Sequence, residues 1–228
     1  MLPQVDILLD DLDLLIKSKH LLTHPFYQAW SKGQLSKACL LEYALEYYQH
    51  VKAFPTYISA LHSRTEDSQT RQILLKNLIE EEAGSPNHPD LWRTFALELG
   101  ATQGEIDQHA PQAEISYLID TFRSICSQRS TVEGLSALYT YESQIPEICI
   151  SKIEGLKKHY GMCNPAGWEY FRVHIAADKE HAAEERQLLK RYVSPQNWQT
   201  VVDATNNVLN ALWNFLSGLC HRHHIACA

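Results

Sequence analysis

Apolar residues recur at three- and four-residue spacing almost from end to end of this 228-residue chain, and no stretch alternates apolar with polar between hairpin turns. That period lines one face of an α-helix, whereas a half-buried strand needs a period of two. The expected fold is therefore all-α. Helices are expected near 4–18, 36–63, 68–83, 89–99, 111–128, 131–160, 165–192 and 196–218, with a short one near 26–32. Gly33, Gly84-Ser85-Pro86, Gly100, Gly104, Gly161 and Ser194-Pro195 fall between these segments, where breakers belong. Pro55 and Pro146 instead lie inside long segments. Each removes a backbone donor, so both helices should be kinked.

No linker interrupts the pattern, and residues 1–218 are expected to form a single domain. A chain of this size hides about 70% of the surface its unfolded form exposes, enough for an internal site as well as a packed core. Disulfides are not needed for that. Cys39, Cys126, Cys149, Cys163, Cys220 and Cys227 lack the paired spacing of a zinc ribbon, and most should be reduced and buried. The stretch 219–228 gathers Cys220, His221, His223, His224 and Cys227. Such a cluster can bind a soft metal, but its spacing matches no defined zinc site, and a frayed, flexible tail is expected.

The formal charge is −7, the sequence pI is near 5.9, and no run of Lys or Arg could neutralise phosphates, which argues against nucleic acid as a partner. The first residues, MLPQVDILLDDLDLLIKSK, are acidic where a secretory signal begins basic, and hold no apolar run of spanning length. A soluble, cytoplasmic protein without membrane attachment is expected.

Polar residues interrupt three apolar seams. Within 165–192, the seam of Trp168, Phe171, Ile175, Ala182, Leu188, Leu189 and Tyr192 shares its face with His174, Asp178 and His181, spaced by four and three. An ionised Asp is costly to bury alone, and a metal ion offsets that cost while imidazoles stay neutral. Within 131–160, Glu142 stands in the middle of the stripe Leu135, Leu138, Ile145, Cys149, Ile153 and Leu156. Within 68–83, the seam through Leu74 and Leu78 runs into Glu80, Glu81 and Glu82, and His88 follows beyond Gly84 and Pro86, with Pro89 suited to the first turn of the next helix. The residues alone do not choose among the three glutamates. Singly, a His on an apolar face is usually a core residue and a Glu in an acidic run usually solvated. Converging from separate helices, they form a mixed O/N set suited to iron or manganese, with room for two ions. The two Glu-x-x-His pairs of a ferritin-like bundle are absent, which points to another helical arrangement.

The trio in HIAADKEH, together with EEEAGSPNH, YTYESQIPE and HPFYQAWSKGQLS, resembles the haem-oxygenase-like dimetal oxidases, and within them the branch named for association with death domains, which is implicated in making para-aminobenzoate for folate. The resemblance spans Leu9 to about Leu216. It implies a single-domain helical bundle of the thiaminase II or pyrroloquinoline-quinone-synthase kind, often a homodimer. Two metal ions, both iron or manganese with iron, would activate dioxygen with an external reductant. The ligand positions it implies are Glu81, His88, Glu142, His174, Asp178 and His181, so the resemblance chooses Glu81. In this branch the chain itself is thought to be the substrate, consumed in one turnover: a tyrosine supplies the ring and a lysine the amino group. The corresponding residues are Tyr27 and Lys152, with Tyr43, Tyr141 and Tyr170 as pocket tyrosines.

Read without the resemblance, Tyr27 is a core aromatic and Lys152 a surface lysine. On a straight helix Lys152 would stand about 15 Å along the axis from Glu142, beyond contact. One feature fits independently: Tyr43, Tyr47, His50, Phe54 and Tyr57 form an aromatic seam whose polar tips need partners or a pocket. Three other readings compete. A thiaminase-like hydrolase needs a cysteine near 138–142, where the chain reads Leu-Tyr-Thr-Tyr-Glu, and Cys149 comes two turns later. A haem oxygenase needs an axial histidine, for which His20 and His24 are available, and closely spaced distal glycines, of which only Gly134 is present. A helical adaptor for a protein partner needs an exposed apolar patch and no interior carboxylates.

Overall fold

Side-chain caps set where the long helices begin. Ser36 accepts from the amide of Cys39 at the head of α3 (Lys37–Arg64), Asp67 from Thr70 at α4 (Ser68–Glu82), and Asn87 from Asp90 at α5 (His88–Glu98). Before them lie α1 (Pro3–Ser18) and α2 (Pro25–Ser31). After them come α6 (Gln103–Gln108), α7 (Ala113–Gln128), α8 (Thr131–Glu142), α9 (Ile145–His159), α10 (Glu169–Tyr192) and α11 (Trp198–Arg222). The computed structural model describes residues 3–226, and no strand occurs among them, in keeping with the all-α expectation. No described helix is long and apolar enough to cross a membrane. Helix α10 packs against α8, α9, α5 and α4, and α8 in turn against α7 and α11, so residues on the inner face of α10 meet side chains from most of the bundle.

The expected helix over 131–160 is two helices. Pro146 has no N–H to offer the carbonyl of Glu142, and α8 ends there. Buried Gln144 satisfies the interrupted backbone: its Nε2 donates to the Thr140 carbonyl at 2.7 Å, and its Oε1 accepts from the Leu21 amide at 2.9 Å. Pro146 then sits in the first turn of α9, where its ring geometry suits a helix start. Pro55, by contrast, lies inside an unbroken α3.

Two other expectations change. Helix α6 was not expected; its signal is a capping box in which Thr102 and Glu105 satisfy each other's backbone amides. Helix α11 runs four residues past 218, so residues 219–222, expected in the frayed tail, are helical. Arg222 donates to Glu42 and Glu114, His223 Nε2 lies 2.6 Å from Glu42 Oε2, and Cys220 is fully buried. The helix closes with His224 at φ 55° and amide bonds from Ile225 to Cys220 and from His224 to His221, the paired pattern of a Schellman cap. Cys227 lies outside the described residues. Cys39, Cys126 and Cys149 are buried free thiols, Cys220 is buried, and Cys163 is exposed.

Candidate dimetal site and its tyrosine cluster

The polar residues that interrupt the seams gather into two buried trios, Glu81, His88 and His174 in one and Glu142, Asp178 and His181 in the other, with potential ligand atoms within 4.8 Å of one another in each. Helix α10 supplies both, because its four- and three-residue spacing stacks His174, Asp178 and His181 on one face. Helix α8 brings Glu142, the last turn of α4 brings Glu81, and the first residue of α5 brings His88.

Hydrogen bonds behind the imidazoles fix their tautomers. His174 Nδ1 must donate to the Tyr170 carbonyl, 2.7 Å away, which leaves Nε2 as a lone-pair donor 3.8 Å from Glu81 Oε1. Glu80 Oε2 lies 2.9 Å from His181 Nε2 and holds the proton there, so Nδ1 faces Glu142 Oε1 at 3.3 Å and Asp178 Oδ1 at 3.6 Å. The acidic run thus divides its work: Glu81 faces the interior and Glu80 orients His181. Asn77, one turn before Glu81, donates to Glu142 Oε1 at 2.9 Å.

Buried polar atoms normally have partners. Here His88 Nδ1, Glu142 Oε2, Asp178 Oδ2 and His181 Nδ1 lack a hydrogen bond, although His88 Nδ1 lies 2.9 Å from Glu81 Oε2. Burial pushes the Asp178 carboxyl up to about 8 and keeps His174 neutral well below the usual imidazole range. Burial opposes a charge on His181, but the Asp178 and Glu142 carboxylates overcome it and push the ring up to about 11. Two divalent ions would satisfy the orphaned atoms and return the carboxyls and imidazoles to their ligand forms, so the residues present fit such a pair. Glu81, His174 and Asp178 also border a small cavity, with Val51, Phe54, Tyr141 and Tyr170 as its other walls; its volume is ≈ 10 Å³.

Tyr27, Tyr43 and Lys152 do not line that cavity but form an adjoining cluster. Lys152 is 3% exposed, which overturns its reading as a surface lysine. The break before Pro146 ends the straight path that would have carried it away, and α9 turns it into the core. Its Nζ donates to Tyr43 Oη at 2.5 Å and lies 5.0–5.5 Å from the ring centres of Tyr27, Tyr43, Tyr47, Trp92 and Phe171. No carboxylate pairs with it among the described residues, and burial lowers its pKa to about 8. Tyr27 is a core aromatic, as its residue type suggests, with Oη 3.4 Å from Tyr43 Oη. Tyr43 stacks on Tyr47, whose hydroxyl donates to Tyr141 Oη at 2.8 Å. Polar contacts and ring stacking therefore join Tyr27 and Lys152 to the wall of the cavity. The seam's remaining tip, Tyr57 Oη, meets His50 Nδ1 at 3.4 Å.

Glu185 was missed. It is 2% exposed, and its carboxyl faces that of Glu142; burial and Glu142 hold it well above the usual carboxyl range. Its signal was available in the sequence: it lies four residues after His181 on the face already marked by His174 and Asp178. The histidines of the haem reading are spent on caps, since His20 Nδ1 accepts from the Leu22 amide and His24 Nδ1 from Phe26. Neither the hydrolase nor the adaptor reading is favoured, because the unusual residues are interior carboxylates and imidazoles.

An all-helical bundle that encloses a two-trio carboxylate–imidazole centre defines the class of protein. The chain belongs to the TENA/THI-4/PQQC family, which its residues 9–222 match. It is similar to the 4-aminobenzoate synthase of Chlamydia pneumoniae, with 48% identity over 206 residues that cover 90% of this chain and 92% of that protein. It is also similar to the 4-aminobenzoate synthase of Nitrosomonas europaea, with 42% identity over 226 residues, 95% of this chain and 91% of that protein. In fold it is similar to a crystal structure from Shewanella denitrificans, a domain of unknown function with a heme oxygenase-like fold, at a TM-score of 0.79 and 17% identity over 94% of this chain and 91% of that one. The haem-oxygenase-like bundle implied by the sequence is the fold of this chain.

Proposed function

We propose that this chain is a dimetal, oxygen-activating oxidoreductase that makes 4-aminobenzoate from its own Tyr27, with Lys152 as the amino donor. The observation that carries this reading is the size of the cavity. About 10 Å³ is roughly the room one water-sized molecule needs, so a diatomic gas fits and a free aromatic substrate does not. The aromatic rings that wall it and the buried amine of the adjoining cluster belong to the protein. A tyrosine side chain already has the seven-carbon skeleton and para heteroatom of 4-aminobenzoate, and relatives at 42–48% identity carry that synthase name.

Glu81, His88 and His174 would hold one ion and Glu142, Asp178 and His181 the other, iron or manganese in keeping with their O/N donors. When bound, the ions supply redox activation of dioxygen that side chains cannot, with electrons from an external reductant. The chain's own groups do the rest. Glu80 and the Tyr170 carbonyl engage His181 Nε2 and His174 Nδ1, which leaves His181 Nδ1 and His174 Nε2 to face the ions, and the tight aromatic packing keeps bulk water out. Tyr141, Tyr47 and Tyr43 link the cavity to Tyr27, and the lowered pKa of Lys152 makes a free amine accessible near neutral pH. The reading includes a cytoplasmic homodimer serving folate synthesis.

The test is to load the metal-free protein anaerobically with Fe(II), Mn(II) or both, then add reductant and dioxygen without any organic substrate. We expect about two ions per chain by elemental analysis and at most one equivalent of 4-aminobenzoate by mass spectrometry. Glu142→Ala and His181→Ala are expected to bind about one ion and release no product, with the fold retained because so large a core does not depend on metal. Product from demonstrably metal-free protein, or repeated turnover of an added compound, contradicts the proposal.

A further inference from the structure

We infer that Glu185 is a seventh protein ligand of this centre, the fourth carboxylate that balances two divalent ions. Outside the trios, the described interior holds two buried glutamates, and they differ sharply. Glu46 is fully engaged: His109 Nε2 lies 2.6 Å from its Oε1, and the Gln112 amide donates to it. No N–H or hydroxyl donor meets either oxygen of Glu185; the group its carboxyl abuts is that of Glu142, itself an acceptor with one oxygen unpartnered. An apolar side chain of similar volume would pack at less cost, so a carboxyl left there without a donor is expected to meet a cation.

Charge counting gives the same answer. The two trios contribute three carboxylates, from Glu81, Glu142 and Asp178, and three imidazoles that are neutral when they ligate. Three negative charges against two divalent ions leave an excess of one positive charge in a buried site. Glu185 removes that excess. Glu80 is engaged with His181 and Glu184 with Lys76. The positions 174, 178, 181 and 185, spaced by four, three and four, place Glu185 one turn beyond His181 on the ligand face of α10. Adjacent ligands of one ion lie side by side, as the carboxyls of Glu142 and Glu185 already do.

This inference rests on the dimetal reading, and its test separates the two. Wild-type and Glu185→Gln proteins are stripped of metal and titrated anaerobically with Mn(II), following free Mn(II) by electron paramagnetic resonance, and the thermal midpoints of both metal-free proteins are recorded. The wild type should bind two ions. Glu185→Gln should keep the first ion at unchanged affinity and bind the second at least about tenfold more weakly, the scale on which groups around a metal act. Its metal-free midpoint should equal or exceed that of the wild type, because the amide removes a buried unpartnered carboxyl. A lowered midpoint with unchanged binding of the second ion makes Glu185 a packing residue and overturns the inference alone. Fewer than two ions in the wild type overturns the dimetal reading and this inference together. If Glu185→Gln does not fold, Glu185→Asp, which withdraws the carboxylate by one methylene, is expected to show the same selective loss, and wild-type affinity in that variant overturns the assignment.

Discussion

Protein that carries ring-labelled tyrosine is expected to release labelled 4-aminobenzoate, one equivalent per chain at most, and the Tyr27→Phe chain to release none. The substitution is mild in structural terms. It removes one hydroxyl whose hydrogen bond is a 3.4 Å approach to Tyr43, and it keeps the ring that packs edge-on against Phe26 and beside Trp30. Its cost should be about 1 kcal/mol or less, and metal binding, which uses no atom of Tyr27, should be unchanged. Loss of product is therefore chemical, since a phenyl ring lacks the para oxygen at which the amine is exchanged. Tyr43→Phe is the informative companion, because it removes the acceptor of Lys152 and one step of the path to Tyr141 while leaving the Tyr27 ring in place. Peptide mapping of the spent wild-type chain should find the altered residue at 27. An alteration at 43, 141 or 170, or labelled product from Tyr27→Phe, assigns the ring to another tyrosine.

The fold was legible because helical periodicity depends on burial, and burial is written in the apolar pattern. The candidate ligands were legible for the opposite reason: His174, Asp178, His181 and Glu142 are polar where that pattern demands apolar residues. Glu81 was not distinguishable from Glu80 and Glu82, because adjacent residues at a helix end point about 100° apart and the sequence does not give the helix's rotation against its neighbours. Their roles divide only when His181 arrives from α10 to meet Glu80. Lys152 was misread because lysines are normally solvated, and its burial depends on the break before Pro146, a feature expected only as a kink. Gln144, which makes that break tolerable, reads in the sequence as an ordinary polar residue. Glu185 shared its appearance with Glu184, its exposed-side neighbour in an acidic pair.

Metal-free Lys152→Met is expected to melt above the metal-free wild type while making no product, a divergence that separates the stability of this core from its chemistry. Lys152 is buried among five aromatic rings without a carboxylate, and burial brings its pKa from the usual 10.5 down to about 8. Between those values the unfolded chain binds the proton and the folded chain releases it, so the wild type gains stability as pH rises from about 8 to 10.5. Below pH 8 the full cost of burying the ammonium is present, on the order of 3 kcal/mol. Methionine fills a similar volume without charge, and for a chain of this length the relief corresponds to a midpoint about 5–10 °C higher at pH 7. The advantage should shrink as pH rises above 8 and vanish only above about pH 11, where the wild-type amine is neutral in both states. Lys152→Arg, which keeps the charge but has no primary amine, should also make no product and should not share the gain in stability. Thermal scans of the metal-free proteins from pH 6 to about pH 11, paired with product assays of the metal-loaded ones, check both halves. Parallel stability curves for wild type and Lys152→Met would show that no charged amine is buried, and product from either variant would place the source of nitrogen elsewhere.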